Sequence, residues 1–489
     1  MATAHESRAA LVRALAANRP GSTTPHTVVV LPSYSVGDSL LAHYASRLPG
    51  LEHRQLLSLF MLARVPSCEL VFVTSVHPGQ EVLDYYLSLM PPLQRRDVAT
   101  RIHVLEVPDM SARSVSHKLL DRPDLIERLR GLVAGRIGYV DPWNVTEAEQ
   151  EIADRLGLPV FGTAPELWPL GFKSAGRRIM REACVPVPCG REDVRSVDDI
   201  IDALLEIARN CPGVEGAVVK TDNSGAGDGN RVIRIPASPD REDLRVRVQA
   251  LESWYLEDVA KGAVVEELIG GPQLASPSVQ VEITPDGGVS VHSTHEQVLG
   301  GDSGQVYVGC DFPARPTYSE RLATYGAAVG HALADRGALG RFSVDFMVVK
   351  EGPGDWALYG LEINLRKGGT THPYAVLRNL VPGRYDTGSG RWVAEDGTPR
   401  CYRSTDNLVD PTWTGRDPAE VISAIRAAGL EFDRDNRTGV VLHMLCSLAV
   451  DGRLGLTAIG TTPEHAADLY QAATAALSVA ADSEDQTVA

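Results

Sequence analysis

Three residues of this chain could together hold a hard cation. Asp345 lies in the run RFSVDFMVV, and Glu362 and Asn364 lie at i and i+2 in LYGLEINL. Both runs read as strands, and a period of two puts Glu362 and Asn364 on one face, with Leu361, Ile363 and Leu365 on the other. If the intervening KEGPGD segment turns the chain into a hairpin, Asp345 comes to lie opposite them. Two carboxylates and one amide oxygen on a single patch make an oxygen site suited to Mg²⁺ carrying substrate phosphates. Arg366 and Lys367 follow at once, placed to meet negative oxygens. A solvated face is the ordinary reading of an E-x-N strand, and the apolar flanks argue against it here.

A second group lies upstream. Residues 216–235 read GAVVKTDNSGAGDGNRVIRI, two β-branched runs joined by a loop in which Gly225, Gly227 and Gly229 alternate with small or acidic residues. A dinucleotide-binding glycine loop opens a helix, whereas this one opens a strand, and no G-x-x-x-x-G-K-[ST] occurs anywhere. What remains is a glycine hairpin able to lie over phosphates, with Lys220 ending the preceding strand. A plain surface hairpin is the competing reading. Only six of the 47 basic residues are lysine. A lysine that persists against such an arginine bias suits a task needing a compact ammonium. Lys118, Lys261 and Lys350 read as surface residues. The segment AVVEELIGGP at 263–272 could pair its backbone with an adenine edge but means little alone.

The elements that must position these groups alternate at first between strand and helix. Strands are expected near 27–31, 70–74, 102–107, 137–140 and 159–163. A helical stretch is expected near 51–64, and a helix opened by a capping box at Thr146–Glu149 ends near Gly157. That pattern predicts an open, largely parallel α/β sheet. From Lys173 a helix runs to about Cys184, and the texture then turns to hairpins. Residues 383–418, rich in Gly, Pro, Asp and Thr, read as a loop or linker, followed by a small α+β unit. The expected division is an α/β domain over 1–168, a core over 169–382 with a lid at about 190–270, and a linker plus C-terminal domain over 383–489.

In this order, and preceded by GFKSAGRRIMREACVPVP at 171–188, the motifs resemble the ATP-grasp superfamily of carboxylate–amine ligases over about residues 165–375. The resemblance implies an ATP-grasp fold, ATP and Mg²⁺ as cofactors, and Lys173 and Lys220 as catalytic lysines on the ATP phosphates. It implies Ser224, Gly225, Gly227 and Gly229 in a lid loop, and Glu266, Glu267 and Ile269 at an adenine hinge. Gln273 falls near the ribose, where the family often has glutamate. Asp345, Glu362 and Asn364 correspond to metal ligands, and Arg366 to the arginine that steadies the transferring phosphoryl group. Cys184 stands where the family's G-V-P-x-P has glycine.

The long N-terminal region, SPSVQ at 276–280, HSTHEQ at 292–297 and KGGTTHP at 367–373 are similar to a smaller group of bacterial ligases with a pre-ATP-grasp domain and an added C-terminal domain. That implies joining the carboxylate of a modified amino acid, a guanidino acid among the candidates, to a peptide amine through an acyl phosphate. Glu296 and Gln297 would contact a substrate amine or guanidine, with His295 and His372 beside them. A strand histidine is more often a satisfied structural donor. Cys184 and Cys189 read as inert core thiols, and Arg177, Arg178 and Arg181 as a solvated helix face from which one arginine could reach ATP.

Composition narrows the class. Apolar residues make up 44% and charged residues 22% of 489, ordinary for a globular protein of about three domains. A net charge of −16 without a basic stripe disfavours nucleic acid. No apolar run is long enough to span a bilayer, and the first twenty residues lack a signal peptide's apolar region. Seven cysteines without a C-x-x-C pair disfavour a disulfide framework or structural zinc. The expectation is a cytoplasmic enzyme acting on a small-molecule amino acid carboxylate and a peptide amine, with no membrane partner. Ligases of this fold are often homodimers, and the sequence does not decide the assembly. A kinase-like phosphotransferase and a nucleotide-binding protein without ligase activity are the alternatives.

Overall fold

A computed structural model describes residues 4–224, 229–300, 306–350, 352 and 354–485. The N-terminal part is built on a four-stranded parallel sheet in the order Ile102–Glu106, Cys68–Thr74, His26–Leu31, Ile137–Pro142. These β-branched runs are covered on both faces, as parallel strands must be. Val28 and Val30 point into one apolar cluster and Val29 and Leu31 into another. Full burial of each such side chain contributes about 1.5–3 kcal/mol. The strand expected at 159–163 is reduced to one bridge, Val140 to Val160. The capping box forms as expected, with Gly157 closing its helix in the left-handed conformation.

The remainder of the chain holds two antiparallel sheets. A four-stranded one runs Gly190–Val194, Ala263–Glu267, Gly216–Thr221, Asn230–Arg234. The other has eleven strands, beginning Ala357–Asn364, Gly340–Lys350, Pro277–Ile283, Val289–Gly300, Val306–Phe312 and Pro399–Val409. One face of its centre is apolar, with Val279, Val281, Phe342 and Val344 buried in a single cluster. The helix Ser319–Ala334 lies on it. A Cβ on Gly326 would come within 2.7 Å of Val279, and one on Gly330 within 2.6 Å of Val289, so two glycines one turn apart let helix and sheet approach. The opposite face is polar, carrying Ser278, Gln280, Ser343 and Asp345.

Residues 383–418 are not a linker. They hold the strands Gly383–Asp386, Arg391–Ala394 and Pro399–Val409, and the last pairs with Val306–Phe312 on one side and Arg453–Gly460 on the other. The glycines and prolines belong to the turns between strands. Cys184 is exposed rather than in the core. It ends the helix Lys173–Glu182 at φ 58°, while Val185 N–H returns to the Met180 carbonyl at 2.8 Å. This helix-ending left-handed position favours glycine, which accounts for the family's glycine there. Lys118 is buried, with Nζ 3.1 Å from Ser75 Oγ, and is no surface residue.

Candidate active site

The E-x-N hairpin forms in the expected register. Asp345 lies directly opposite Glu362, and Ser343 opposite Asn364. Asn364 donates from Nδ2 to Asp345 Oδ2 at 2.9 Å. Asp345 Oδ1 is buried with no hydrogen-bond partner among the described residues. Burial, then the charge of Glu362, pushes the Asp345 carboxyl up to about 6, while the neighbouring Ser278 and Gln297 side chains oppose the shift. An unpartnered buried carboxylate oxygen facing a second carboxylate is short of positive charge. The three side chains therefore fit a hard divalent cation.

The basic groups come from three directions. Lys173 opens the helix Lys173–Glu182, whose first turn is tied down by Ser174 N–H and Oγ donating to Asp222 Oδ1 at 2.9 and 2.7 Å. Its Nζ lies 2.9 Å from the Ser224 carbonyl, 3.0 Å from Ser224 Oγ and 3.4 Å from Glu362 Oε1. One ammonium thus bridges the glycine-loop flank and the E-x-N strand. Lys220 is ion-paired with Glu266, which also receives Arg177. Burial alone would raise Glu266, and the two cations together hold it below the usual range. Gly229 is described, its carbonyl accepting from Tyr255 at 2.9 Å, whereas Gly225 and Gly227 lie outside the described residues.

Arg366 is held differently. Its guanidinium lies 4.8 Å from the centre of the Trp143 ring, and Trp143 stacks on Tyr34 at 4.2 Å. Among the described residues its one hydrogen bond is a long contact of 3.4 Å to the Lys367 carbonyl. Burial draws its pKa down, and the charges of Glu362 and Asp345 draw it back up. Held through its face, the guanidinium keeps its N–H donors for incoming oxygens.

Several expected contacts lie elsewhere. Glu266 spends its carboxylate on the two cations. At Glu267, the backbone N–H donates to the Cys189 carbonyl at 2.8 Å and the side chain accepts from Cys189 N–H at 2.7 Å. Both glutamate side chains are thus held within the protein, and the expected adenine hinge would rest on backbone groups of this segment; Ile269 is half-buried and Gln273 exposed. Glu296 accepts from Arg315 N–H at 3.0 Å and from the Tyr318 hydroxyl, a structural role rather than a substrate contact. Gln297 does face Asp345. His295 is fully buried against Tyr402 Oη at 2.6 Å, and burial drops its pKa to about 3, so it stays neutral. His372 is equally buried, 2.8 Å from Asp406 Oδ1, which His443 also meets at 2.7 Å while Arg54 pairs with Oδ2 at 3.1 Å. Both histidines are interior groups, each bonded to another buried side chain rather than facing the Asp345–Glu362 site.

Two family models match the chain. One, described as IQCH-like ATP-grasp, matches residues 244–368, the stretch holding Asp345, Glu362, Asn364 and Arg366; the other, the PGM1 C-terminal domain, matches 420–473. The chain is 33% identical over 397 residues to an L-propargylglycine–L-glutamate ligase of Streptantibioticus cattleyicolor, covering 78% of this chain and 79% of that protein. The chain belongs to the ATP-grasp carboxylate–amine ligases. A biotin carboxylase–β-γ-ATP complex from Campylobacter jejuni shares the fold at a TM-score of 0.56 and 14% identity, over 93% of this chain and 94% of that one. An ADP complex of N5-carboxyaminoimidazole ribonucleotide synthetase does so at 0.52 and 13%, over 93% and 97%. The chain is also 25% identical to the IQ motif-containing protein H of Danio rerio, over 46% of this chain and 25% of that protein.

The sequence reading of this ATP-grasp ligase missed Trp143, Tyr34 and Arg177. Tyr34 and Trp143 sit just past the strands His26–Leu31 and Ile137–Pro142, which are adjacent and parallel. The carboxyl ends of parallel strands are where α/β sheets place their functional loops, and that rule singles out PSYS and DPWN. Arg177 looked like one of three solvated arginines, yet its side chain is 1% exposed and clamped by Glu192 and Glu266. Among the described residues no helix is long and apolar enough to cross a membrane.

Proposed function

We propose that this ligase joins an amino acid carboxylate to the amine of a second amino acid or a peptide through an acyl phosphate, releasing ADP and phosphate. The observation that carries the reading is the Lys173 ammonium, within 3.4 Å of both Ser224 and Glu362. It puts the loop that would cover ATP and the strand that would hold the metal around one centre. Its relative's name couples L-propargylglycine with L-glutamate, which supports an amino acid on each side of the new bond. A guanidino acid and a homodimer remain part of the proposal.

Asp345, Glu362 and Asn364 would hold Mg²⁺, which when bound neutralises phosphate charge. The residues then divide the work. Lys173 and Lys220 bind the terminal phosphates, with Lys220 turning from Glu266 toward them. The substrate carboxylate attacks the γ-phosphorus and ADP leaves. The amine next attacks the acyl carbon, phosphate departs, and Arg366 steadies the oxyanion with its free N–H groups. Loop residues 225–229 would exclude water from the acyl phosphate.

The test is the bond of ATP that breaks. With ATP, Mg²⁺ and the acid, the products should be ADP and phosphate, hydroxylamine should trap a hydroxamate, and ¹⁸O from the carboxylate should appear in phosphate. AMP with pyrophosphate, or label that never reaches phosphate, would sink the acyl-phosphate reading. ADP release independent of any amine, with a stable phosphorylated product, would favour the kinase alternative.

The aromatic seat of Arg366 makes a second prediction. A desolvated cation–π contact is worth about 1–2 kcal/mol, so Trp143→Leu should lower kcat roughly 5- to 30-fold while the KM for ATP changes little. Trp143→Phe should recover most of the rate. Steady-state kinetics on the three proteins decides it, and an unchanged kcat in the leucine variant would remove Trp143 from the mechanism.

A further inference from the structure

Beyond the Mg²⁺ and phosphate end, the polar sheet face continues from Asp345 through Ser343 and Gln280 to a second charged group formed by Glu282, Arg341 and His292. There the sheet meets the 3-10 helix Gln55–Ala63 and the helix Thr371–Leu380, leaving a cavity of about 50 Å³. A smaller cavity beside it shares Asp141 and Arg341 with the first and is lined by Arg366 and Lys367. The two adjoin at Asp141 and Arg341, between Arg366 on one side and Arg378 on the other.

The charges around these cavities do not cancel. Arg341 is matched by Glu282 at 2.9 Å, and Lys367 by Asp141 at 2.8 Å. Arg378 also lines the larger cavity; it feels the charge of Glu282, which Arg341 already pairs, and forms no ion pair of its own within 4 Å among the described residues. Arg64 reaches the Arg378 carbonyl at 2.5 Å, its own charge offset in part by Glu395. In a protein of net charge −16, this interior corner is left positive. Asn18, Ser58, Gln280 and Asn379 supply neutral hydrogen-bonding groups around it. A space of this size takes a few waters or a carboxylate, and is too small for a nucleotide base. A half-buried guanidinium that shares one carboxylate with a second arginine is a fork that an incoming carboxylate fits.

We propose that Arg378 receives a non-reacting carboxylate of an amino acid substrate, so that the reacting end of that substrate lies toward Arg366. This rests on the ligase reading above. The carboxylate has two sources, a second carboxylate on the acid substrate or the α-carboxylate of the amine substrate.

The experiment uses the full chain with Mg·ATP and an amino acid pair that supports ADP release. Each substrate is also supplied with its non-reacting carboxylate capped as the primary amide. One cap should raise that substrate's KM about 100-fold while the KM for ATP stays constant, and the substrate that responds identifies the source. Arg378→Ala should raise the KM of the uncapped substrate comparably and cost nothing more on the capped one, with Arg378→Lys in between and all three proteins melting alike. An equal penalty on capped and uncapped substrates, or none on either, would overturn the proposal. If no pair releases ADP, it is the ligase reading that has failed. Calorimetry with L-glutamate and isoglutamine on the Mg·ADP-loaded protein then tests Arg378 alone. Loss of glutamate binding in Arg378→Ala, matched by weak isoglutamine binding in the parent, supports the site; equal binding throughout overturns it.

Discussion

Glu266→Ala is expected to destabilise the protein by about 3–5 kcal/mol, the usual penalty for stripping a buried ion pair of one partner. Glu266 is 2% exposed, between Arg177 at 1% and Lys220 at 13%. Its removal leaves two cations in the interior, and among the described residues only Arg177 has another carboxylate in an ion pair, Glu192 at 2.8 Å. The loss should concentrate in the four-stranded sheet, because Glu266 lies on Ala263–Glu267, next to the strand that carries Lys220. Hydrogen exchange across 216–221 and 263–267, together with thermal unfolding, would show it. Replacing Glu266, Arg177 and Lys220 together by apolar residues should restore much of the stability while abolishing turnover. A single-variant loss below about 1 kcal/mol would mean that the cluster is not desolvated as described.

Asp345→Asn should do the opposite, with stability rising and activity lost. Loss of one carboxylate at the charge centre should lower kcat roughly a thousandfold or more. The nucleotide-free protein gains because the wild-type carboxylate is strained when charged: its pKa is about 6 folded, against an ordinary 3.8 unfolded. The folded state therefore binds the proton more tightly, and wild-type stability falls as pH rises from about 4 to about 6. Asparagine carries no such charge, so its advantage should be full at pH 8, shrink as pH falls through 6, and vanish below about 4. At pH 8 that advantage should be about 1–3 kcal/mol. Melting temperatures of the two proteins across this range provide the check. An asparagine variant less stable than its parent at pH 8 would contradict the assignment.

How much of this was legible in the sequence depended on whether the signal was local. The E-x-N register was, since a period of two and one hairpin turn determine which side chains face each other. So were the parallel strands, written as short β-branched runs. Residues 383–418 were not, because Gly, Pro, Asp and Thr serve hairpin turns as well as linkers, and the pairing partner of Pro399–Val409 lies about ninety residues earlier. The environments of His295 and His372 could not be read either, since Tyr402 and Asp406 approach them only in the folded chain. Cys184 gave a partial signal. The motif marked a glycine position, and the reason is the backbone angle rather than the side chain.

The pairing of Pro399–Val409 with Val306–Phe312 bears on how the protein is made. While the chain emerges from a ribosome, the outer edge of Val306–Phe312 has its N–H and C=O groups open until residue 409 is released. Arg453–Gly460, which closes the next edge, comes later still. An uncovered strand edge recruits other chains, so the interval between synthesis of these segments is the period of greatest aggregation risk. A fragment stopped at residue 382 would carry every residue assigned here to phosphate and metal, and would keep that edge permanently exposed. Expression of such a fragment should yield insoluble protein, rescued by supplying residues 383–489 as a separate chain.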